Sequence, residues 1–416
     1  MSGESQGDIG AVVILHVVTS LASAGAQMSV ARTCVGLRRA GWDVQLAYSS
    51  RGAQPGYVCD ELPAELRAAG VPLHDVPEML WQVHAAQDAR ACWSFARLLR
   101  RLRPALVHTH TSKAGALGRL AAKLCGVPRV VHSARGWSFY GARGRWGRAL
   151  LASVERALAL GTDCIVAVSE DVRDSGLSYA IANRERYRII RSGVELERFD
   201  QLRRVGKVRR ELGIGPERRV VGTLARAARA KAPEVFLAVA ERVLAAQPDV
   251  LFLFSGAGED WVWLQAEVAR RGLTGRVLLL GHRSDVPEVL EAMDVFLLTS
   301  LWEGLPTAVV EAAAARVAIV TTDVSGVRDV VQHEVSALIF PVGDAAGLAR
   351  GVLQLLSDPG GAAALAVRAR RNVELEFERR VAVEAHARLY RDLGLVPAVT
   401  RPALDARLGP ESVGLT

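Results

Sequence analysis

Cysteine is scarce in this chain of 416 residues: Cys34, Cys59, Cys92, Cys125 and Cys164 are odd in number and widely spaced. Without a Cys-x-x-Cys pair, neither a disulfide framework nor a thiolate zinc site is indicated. Long apolar runs are also missing. Ala11-Val12-Val13-Ile14-Leu15 is far too short to cross a bilayer, and the polar, acidic start from Met1 to Gly10 cannot act as a signal peptide. The expected location is therefore the cytoplasm, either in solution or peripherally at the inner face of the plasma membrane. Acid falls short of base, with 44 Asp and Glu against 52 Lys and Arg. The balance favours acidic partners without choosing among nucleotide diphosphates, anionic lipid and nucleic acid.

Half of the residues are hydrophobic, enough to fill two domains of roughly 200 residues each. Short β-branched or apolar runs, each leading into a loop and a helical pattern, recur at 11–18, 44–47, 105–108, 129–132 and 164–168. A second series follows at 220–224, 250–254, 277–280, 295–298 and 318–321. Such alternation predicts two doubly wound α/β domains, 8–192 and 208–375, whose strand ends face a common cleft. Residues 400–416, rich in Pro, Gly and polar side chains, read as a disordered tail.

The most informative stretch runs from Ser300 to Glu311. Val295-Phe296-Leu297-Leu298 reads as a buried parallel strand, Gly304-Leu305-Pro306 as the turn leaving it, and Thr307 onward as a helix. A helix starting just past a strand's carboxyl end aims free N–H groups and the positive end of its dipole into the crevice, which suits a phosphate. Glu303 before that helix and Glu311 one turn inside it can flank one ligand and accept hydrogen bonds from hydroxyls. Sugars carry many. On a second strand end, after 220–224, Arg226 and Lys231 place two fixed cations where a diphosphate would be stabilised.

Ser300, Glu303-Gly304-Leu305-Pro306 and Glu311-Ala312, with the basic spacing Arg226…Lys231, resemble the retaining glycosyltransferases of family 4, which have the GT-B fold. The resemblance spans roughly residues 10 to 395. It implies transfer of a sugar from a nucleotide diphosphate, with a UDP-sugar favoured, to an acceptor hydroxyl on a lipid-linked intermediate or glycan. Glu303 would contact the sugar, Glu311 the ribose, and Arg226 and Lys231 the diphosphate. Gly304, Leu305, Pro306 and Thr307 would line the donor, as would Gly25 in the loop after the first strand, Gly256 in Phe254-Ser255-Gly256-Ala257-Gly258, and His282 and Arg283. The last helix, 379–393, would pack back on the first domain. The chain has no Asp-x-Asp motif, in keeping with a mechanism that needs no metal and no cofactor.

The first domain departs further from the family pattern. His108, His110 and Lys113 at one strand end, and His132, Arg135 and Trp137 at the next, are the acceptor-side candidates; Arg135 stands where relatives carry His. His108-Thr109-His110 has the spacing of a metal pair, but no third ligand is evident nearby. From Trp137 through Phe139, Tyr140, Arg143, Arg145 and Trp146 to Arg148, aromatics alternate with cations, as in a surface meeting anionic lipid. No recognition motif for nucleic acid accompanies the charge, so nucleic acid is not an expected partner. Three other readings also use a nucleotide sugar: transfer to a small natural product, epimerisation of the donor, and binding without catalysis.

Overall fold

The computed structural model describes residues 12–22, 25–53, 61–142, 144–201 and 206–397. The expected tail at 400–416 lies outside them, as do Cys59 and Arg143.

Among the described residues, thirteen strands form two sheets, parallel throughout. The first contains β1 (Ile14–Val17), β2 (Val44–Tyr48), β3 (Leu73–Asp75), β4 (Leu106–His110), β5 (Arg129–Ala134), β6 (Cys164–Ala167) and β7 (Tyr187–Ile189), in the spatial order β3-β2-β1-β4-β5-β6-β7. The second contains β8 (Val220–Leu224), β9 (Leu251–Ser255), β10 (Val277–Gly281), β11 (Val295–Leu298), β12 (Ala318–Thr322) and β13 (Leu338–Phe340), in the order β10-β9-β8-β11-β12-β13. In both sheets the chain starts in the middle, winds one way, crosses back and winds the other. The central strands are apolar on both faces because helices cover both; all four residues of β11 are buried.

Three strands, β3, β7 and β13, have no counterpart in the runs read from the sequence. All three are edge strands of three residues. Three residues are too few to stand out as a run, even in β13, where Leu338-Ile339-Phe340 is apolar throughout; the longer edge strand β10 is read from its run at 277–280.

The chain crosses between the sheets twice, and the two crossings pair. Val194 N–H donates to Phe377 O at 2.7 Å and Arg379 N–H to Val194 O at 2.9 Å. After the second crossing, helix Arg379–Asp392 lies against helix Gly25–Arg39 of the first sheet.

Candidate active site

β8 and β11 are the neighbours at which the second sheet reverses its winding, and the crevice beyond their carboxyl ends is where open α/β sheets take ligands. The loop after β8 carries Arg226 and ends in the 3-10 turn Arg229–Lys231; the loop after β11 carries Ser300 to Glu303. The two loops are laced together. Leu301 N–H donates to Ala230 O at 2.8 Å, and Thr299 Oγ1 donates to Lys231 O at 2.9 Å. Lys231 Nζ pairs with Glu303, whose Oε1 also accepts from Ser300 Oγ at 2.7 Å. Arg226, on the same loop, lies 3.9 Å from Glu259. Gly256 belongs to the adjoining loop after β9. With φ 141°, a methyl group there would sit 1.9 Å from Ala225 O, so only glycine lets this backbone lie on the Arg226 loop.

The first sheet closes on this site from the other side. Helix Gly25–Arg39 begins where helix Thr307–Ala314 begins: a methyl group on Gly25 would lie 2.6 Å from Thr307 Oγ1. Two helix amino termini thus converge, which concentrates N–H donors and positive potential at one place. Gly304 packs so tightly on the loop after β5 that an added methyl group would meet Arg135 O at 2.0 Å, while Ser169 Oγ donates to Gly304 O at 2.8 Å. Beside Glu303 a cavity of about 450 Å³ opens between the domains, with Tyr140, Asp171 and Ser175 on one wall and Trp302, Glu303 and Arg328 on the other.

Burial between the domains pushes Glu311 up to about 7, opposed by the charges of Arg32 and Arg198. The native fold therefore keeps this proton up to about pH 7, whereas the unfolded chain releases it near 4.5. Stability from this group is full below pH 4.5 and is lost as pH rises through 7. Glu311→Gln abolishes that loss, so the gap between variant and wild-type melting temperatures should open in the variant's favour from pH 5 to 8. Thermal melts across this range, without nucleotide, check it; parallel curves would mean that Glu311 is not buried in this way.

Two family models together cover most of the chain: Glycosyltransferase Family 4 matches residues 23–198, and Glycosyl transferases group 1 matches residues 205–373. Alpha-maltose-1-phosphate synthase of Mycolicibacterium smegmatis is 30% identical over 315 residues, 69% of this chain and 78% of that protein. The chain belongs to glycosyltransferase family 4. A second relative, UDP-Gal:alpha-D-GlcNAc-diphosphoundecaprenol alpha-1,3-galactosyltransferase of Escherichia coli, is 27% identical over 321 residues, covering 76% of this chain and 81% of its own. Anabaena HepE, solved in complex with UDP-glucose, superposes with a TM-score of 0.77 at 19% identity, over 91% of this chain and 99% of that one. The architecture is GT-B.

In this glycosyltransferase four of the six acceptor-side candidates, His108, His110, His132 and Trp137, lie in the core of the first domain. His108 and His110 are fully buried under helix Arg379–Asp392, and His132 is buried against helix Ser112–Leu124 with its Nδ1 2.9 Å from Thr109 Oγ1. None of the three lines the cleft, because both faces of a central parallel strand are covered. The third histidine sought beside His108 and His110 does exist. It is His16, 92 residues earlier in sequence but paired in register with His108 on the neighbouring β1. Ring nitrogens of the three lie within 4.8 Å of one another, so the trio has the donors of a metal site. Hydrogen bonds already engage most of these nitrogens. His16 Nδ1 bonds His110 Nε2 at 2.9 Å, His16 Nε2 and His108 Nδ1 share Tyr390 OH at 3.0 and 2.7 Å, and His108 Nε2 meets Ser133 Oγ at 2.8 Å. Only His110 Nδ1 has no partner. Burial brings His16 down to about 3 and His386 to about 4 and holds His108 and His110 well below the usual range, so the cluster is neutral.

Trp137 is likewise a core residue, 4% exposed, stacked on Phe139, with Nε1–H donating to Val172 O at 2.7 Å. The expected lipid-facing stretch therefore does not hold at its Trp137 and Phe139 end. Lys113 is held by Asp88 at 2.6 Å. Arg135 turns its guanidinium back into the first domain, Nη1 donating to Ser192 Oγ at 2.8 Å, and burial brings it down to about 10; its carbonyl is what meets Gly304. Arg283 is committed to Glu211 and Asp285 at 2.6 to 2.9 Å beside the edge strand β10, while His282 is exposed. Asp171 and Ser175 went unnoticed in the sequence. The signal was present in Ser169-Glu170-Asp171, a helix cap at the carboxyl end of β6, where Ser169 accepts from Val172 N–H.

Proposed function

We propose that this glycosyltransferase transfers a hexose, with retention, from a UDP-sugar to a hydroxyl of a lipid-linked or polysaccharide intermediate, working in the cytoplasm beside a membrane. The observation that carries this is the Lys231–Glu303 ion pair at the strand-order reversal of the second sheet, with Arg226 on the loop of Lys231 and Glu311 one turn into the helix that follows Glu303. Breaking the bond from the anomeric carbon to phosphate builds negative charge on the leaving diphosphate. Fixed Arg and Lys charges at that point stabilise it through the transition state, and the two helix amino termini add to the field. A diphosphate arriving at Lys231 takes over its pairing with Glu303 and leaves that carboxylate to accept hydrogen bonds from the sugar. Glu311 then takes the ribose hydroxyls. The acceptor enters the cavity beside Glu303, where Asp171, Ser175 and Tyr140 offer polar groups to its hydroxyls. The leaving phosphate, on the same face as the incoming hydroxyl, accepts its proton, so no protein nucleophile is required.

The Escherichia coli relative's name pairs a UDP-sugar donor with a diphosphoundecaprenol-linked acceptor, and HepE was solved with UDP-glucose, which supports the base and the acceptor class assigned here. Thermal shift with UDP-, GDP- and ADP-sugars is the test. A ligand at a hundred times its Kd stabilises the native state by about 2.7 kcal/mol, so the UDP series should raise the melting temperature most. Equal shifts with all three bases, or none, would reject the assignment.

A further inference from the structure

We propose that the layer formed by helices Ala85–Leu102, Ser112–Leu124 and Gly144–Ala159 is a docking face for anionic phospholipid bilayers, the exposed stripe of the third helix entering the headgroup region. This deepens the lipid-linked acceptor proposed above by assigning the surface that meets the lipid.

Residues 89 to 154 hold thirteen Lys and Arg and not one Asp or Glu, while everything outside them holds 39 basic against 44 acidic residues. Arg119 and Arg135 are turned inward and Lys113 is paired with Asp88, but Arg90, Arg97, Arg100, Arg101, Arg103, Lys123, Arg129, Arg145 and Arg148 are exposed. The positive excess of the whole chain thus resides in this segment, which builds the three helices and the two strands beneath them. The helices pack side by side, the second touching both others. On the third, Trp146, Leu150 and Val154 recur every four residues on the solvent side, Trp146 at 81% exposure. The only acid of that helix, Glu155, is turned inward to Arg119 at 2.7 Å. Leu124 of the middle helix is 68% exposed and Leu160, just past the third, 77%. Arg145 lies over the Trp146 ring, 5.7 Å from its centroid, and Arg148 is exposed one turn on.

No helix among the described residues is long and apolar enough to cross a membrane, so any lipid contact of these helices is made from the side. A surface that is both cationic and striped with tryptophan and leucine fits a bilayer interface. The guanidinium groups meet phosphate, the indole sits at headgroup depth, and the leucines reach the acyl boundary. A soluble polyanion would engage the arginines and leave the apolar stripe in water. The geometry also points the site the right way. Helix Gly144–Ala159 starts three residues after Gly141, where an added methyl group would lie 3.6 Å from Trp302 on the cavity wall, so docking brings the acceptor cavity's rim toward the lipid.

Co-sedimentation of the full chain with vesicles of phosphatidylglycerol and phosphatidylcholine tests the proposal. Wild type should pellet with mixed vesicles at low salt, remain in solution with pure phosphatidylcholine, and be released as salt rises. Replacing both Arg145 and Arg148 by Gln should weaken binding about fivefold per residue. Trp146→Ala with Leu150→Ser should weaken it at least tenfold without changing the salt dependence. Circular dichroism and the shift given by the UDP-sugar should stay those of wild type in both variants, since neither touches the donor site. Wild type left in the supernatant at low salt overturns the proposal. So does undiminished binding by the Trp146/Leu150 variant, which would identify the ligand as a polyanion met by charge alone. A vesicle-binding protein that gives no shift with any sugar nucleotide would leave this surface standing and overturn the donor assignment instead.

Discussion

Lys231→Ala should lower kcat by about 10²–10³-fold and leave the melting temperature near that of wild type. Removing one preorganised charge from a developing anion costs on the order of 3–4 kcal/mol of barrier. The fold has little to lose in exchange, because Lys231 sits in a short turn whose backbone, not its side chain, holds Thr299 and whose neighbour Ala230 holds Leu301. Glu303 does lose its ion pair, but Ser300 Oγ still donates to it. Single-turnover rates and nucleotide affinity, measured together, separate the role from simple binding: the rate should fall far more than the affinity of free UDP. Turnover within a few-fold of wild type would remove Lys231 from the leaving-group site. Arg226→Ala should follow the same pattern.

The largest stability effect is expected from Glu155→Ala. Arg119, 2% exposed, spends Nε on Gly115 O at 2.9 Å and Nη2 on Glu155 at 2.7 Å, and its Nη1 has no partner. Deleting the carboxylate strands a guanidinium in the core, which costs about 3–5 kcal/mol, or a drop in melting temperature of roughly 10 °C for a domain of this size. Glu155→Leu combined with Arg119→Met removes both charges and should recover most of the loss. If the single variant melts within 2–3 °C of wild type, roughly what 1 kcal/mol gives in a domain of this size, the pair is not the internal anchor of the exposed helix.

How far the sequence could be read depended on how each residue earns its place. Central strands such as β11 announce themselves because both faces are buried, and Glu303 and Glu311 could be located because a strand, a turn and a helix start fix them within twelve residues. The three-residue edge strands β3, β7 and β13 stayed silent because they are too short to make a pattern, whereas the longer edge strand β10 was read. His108, His110 and Trp137 looked like site residues because their types carry chemistry, yet a side chain near the end of a central strand can point down into a covered face as readily as up into the cleft. Nothing local distinguishes the two. His16 was invisible for a different reason: its partners are set by sheet order, which places β1 beside β4, and by a helix that returns from the far end of the chain. The acid-free stretch between residues 89 and 154 was not among the features read from the sequence, and it acquires meaning only when three packed helices carry most of its cations in one layer.

The returning helix Arg379–Asp392 has a consequence for how the protein is made. Tyr390 supplies the hydroxyl that joins His16 to His108, and it stacks edge-on against Trp42 in the same core. A nascent chain released from the ribosome only as far as residue 192 would hold the strands of the first sheet but not the side chain that satisfies their buried imidazoles. Although domains generally fold in order of synthesis, this amino-terminal unit must wait until the whole second sheet and then residues 379–392 have emerged. A fragment ending before residue 379 should accordingly be insoluble, and adding helix 379–392 as a separate peptide should rescue it.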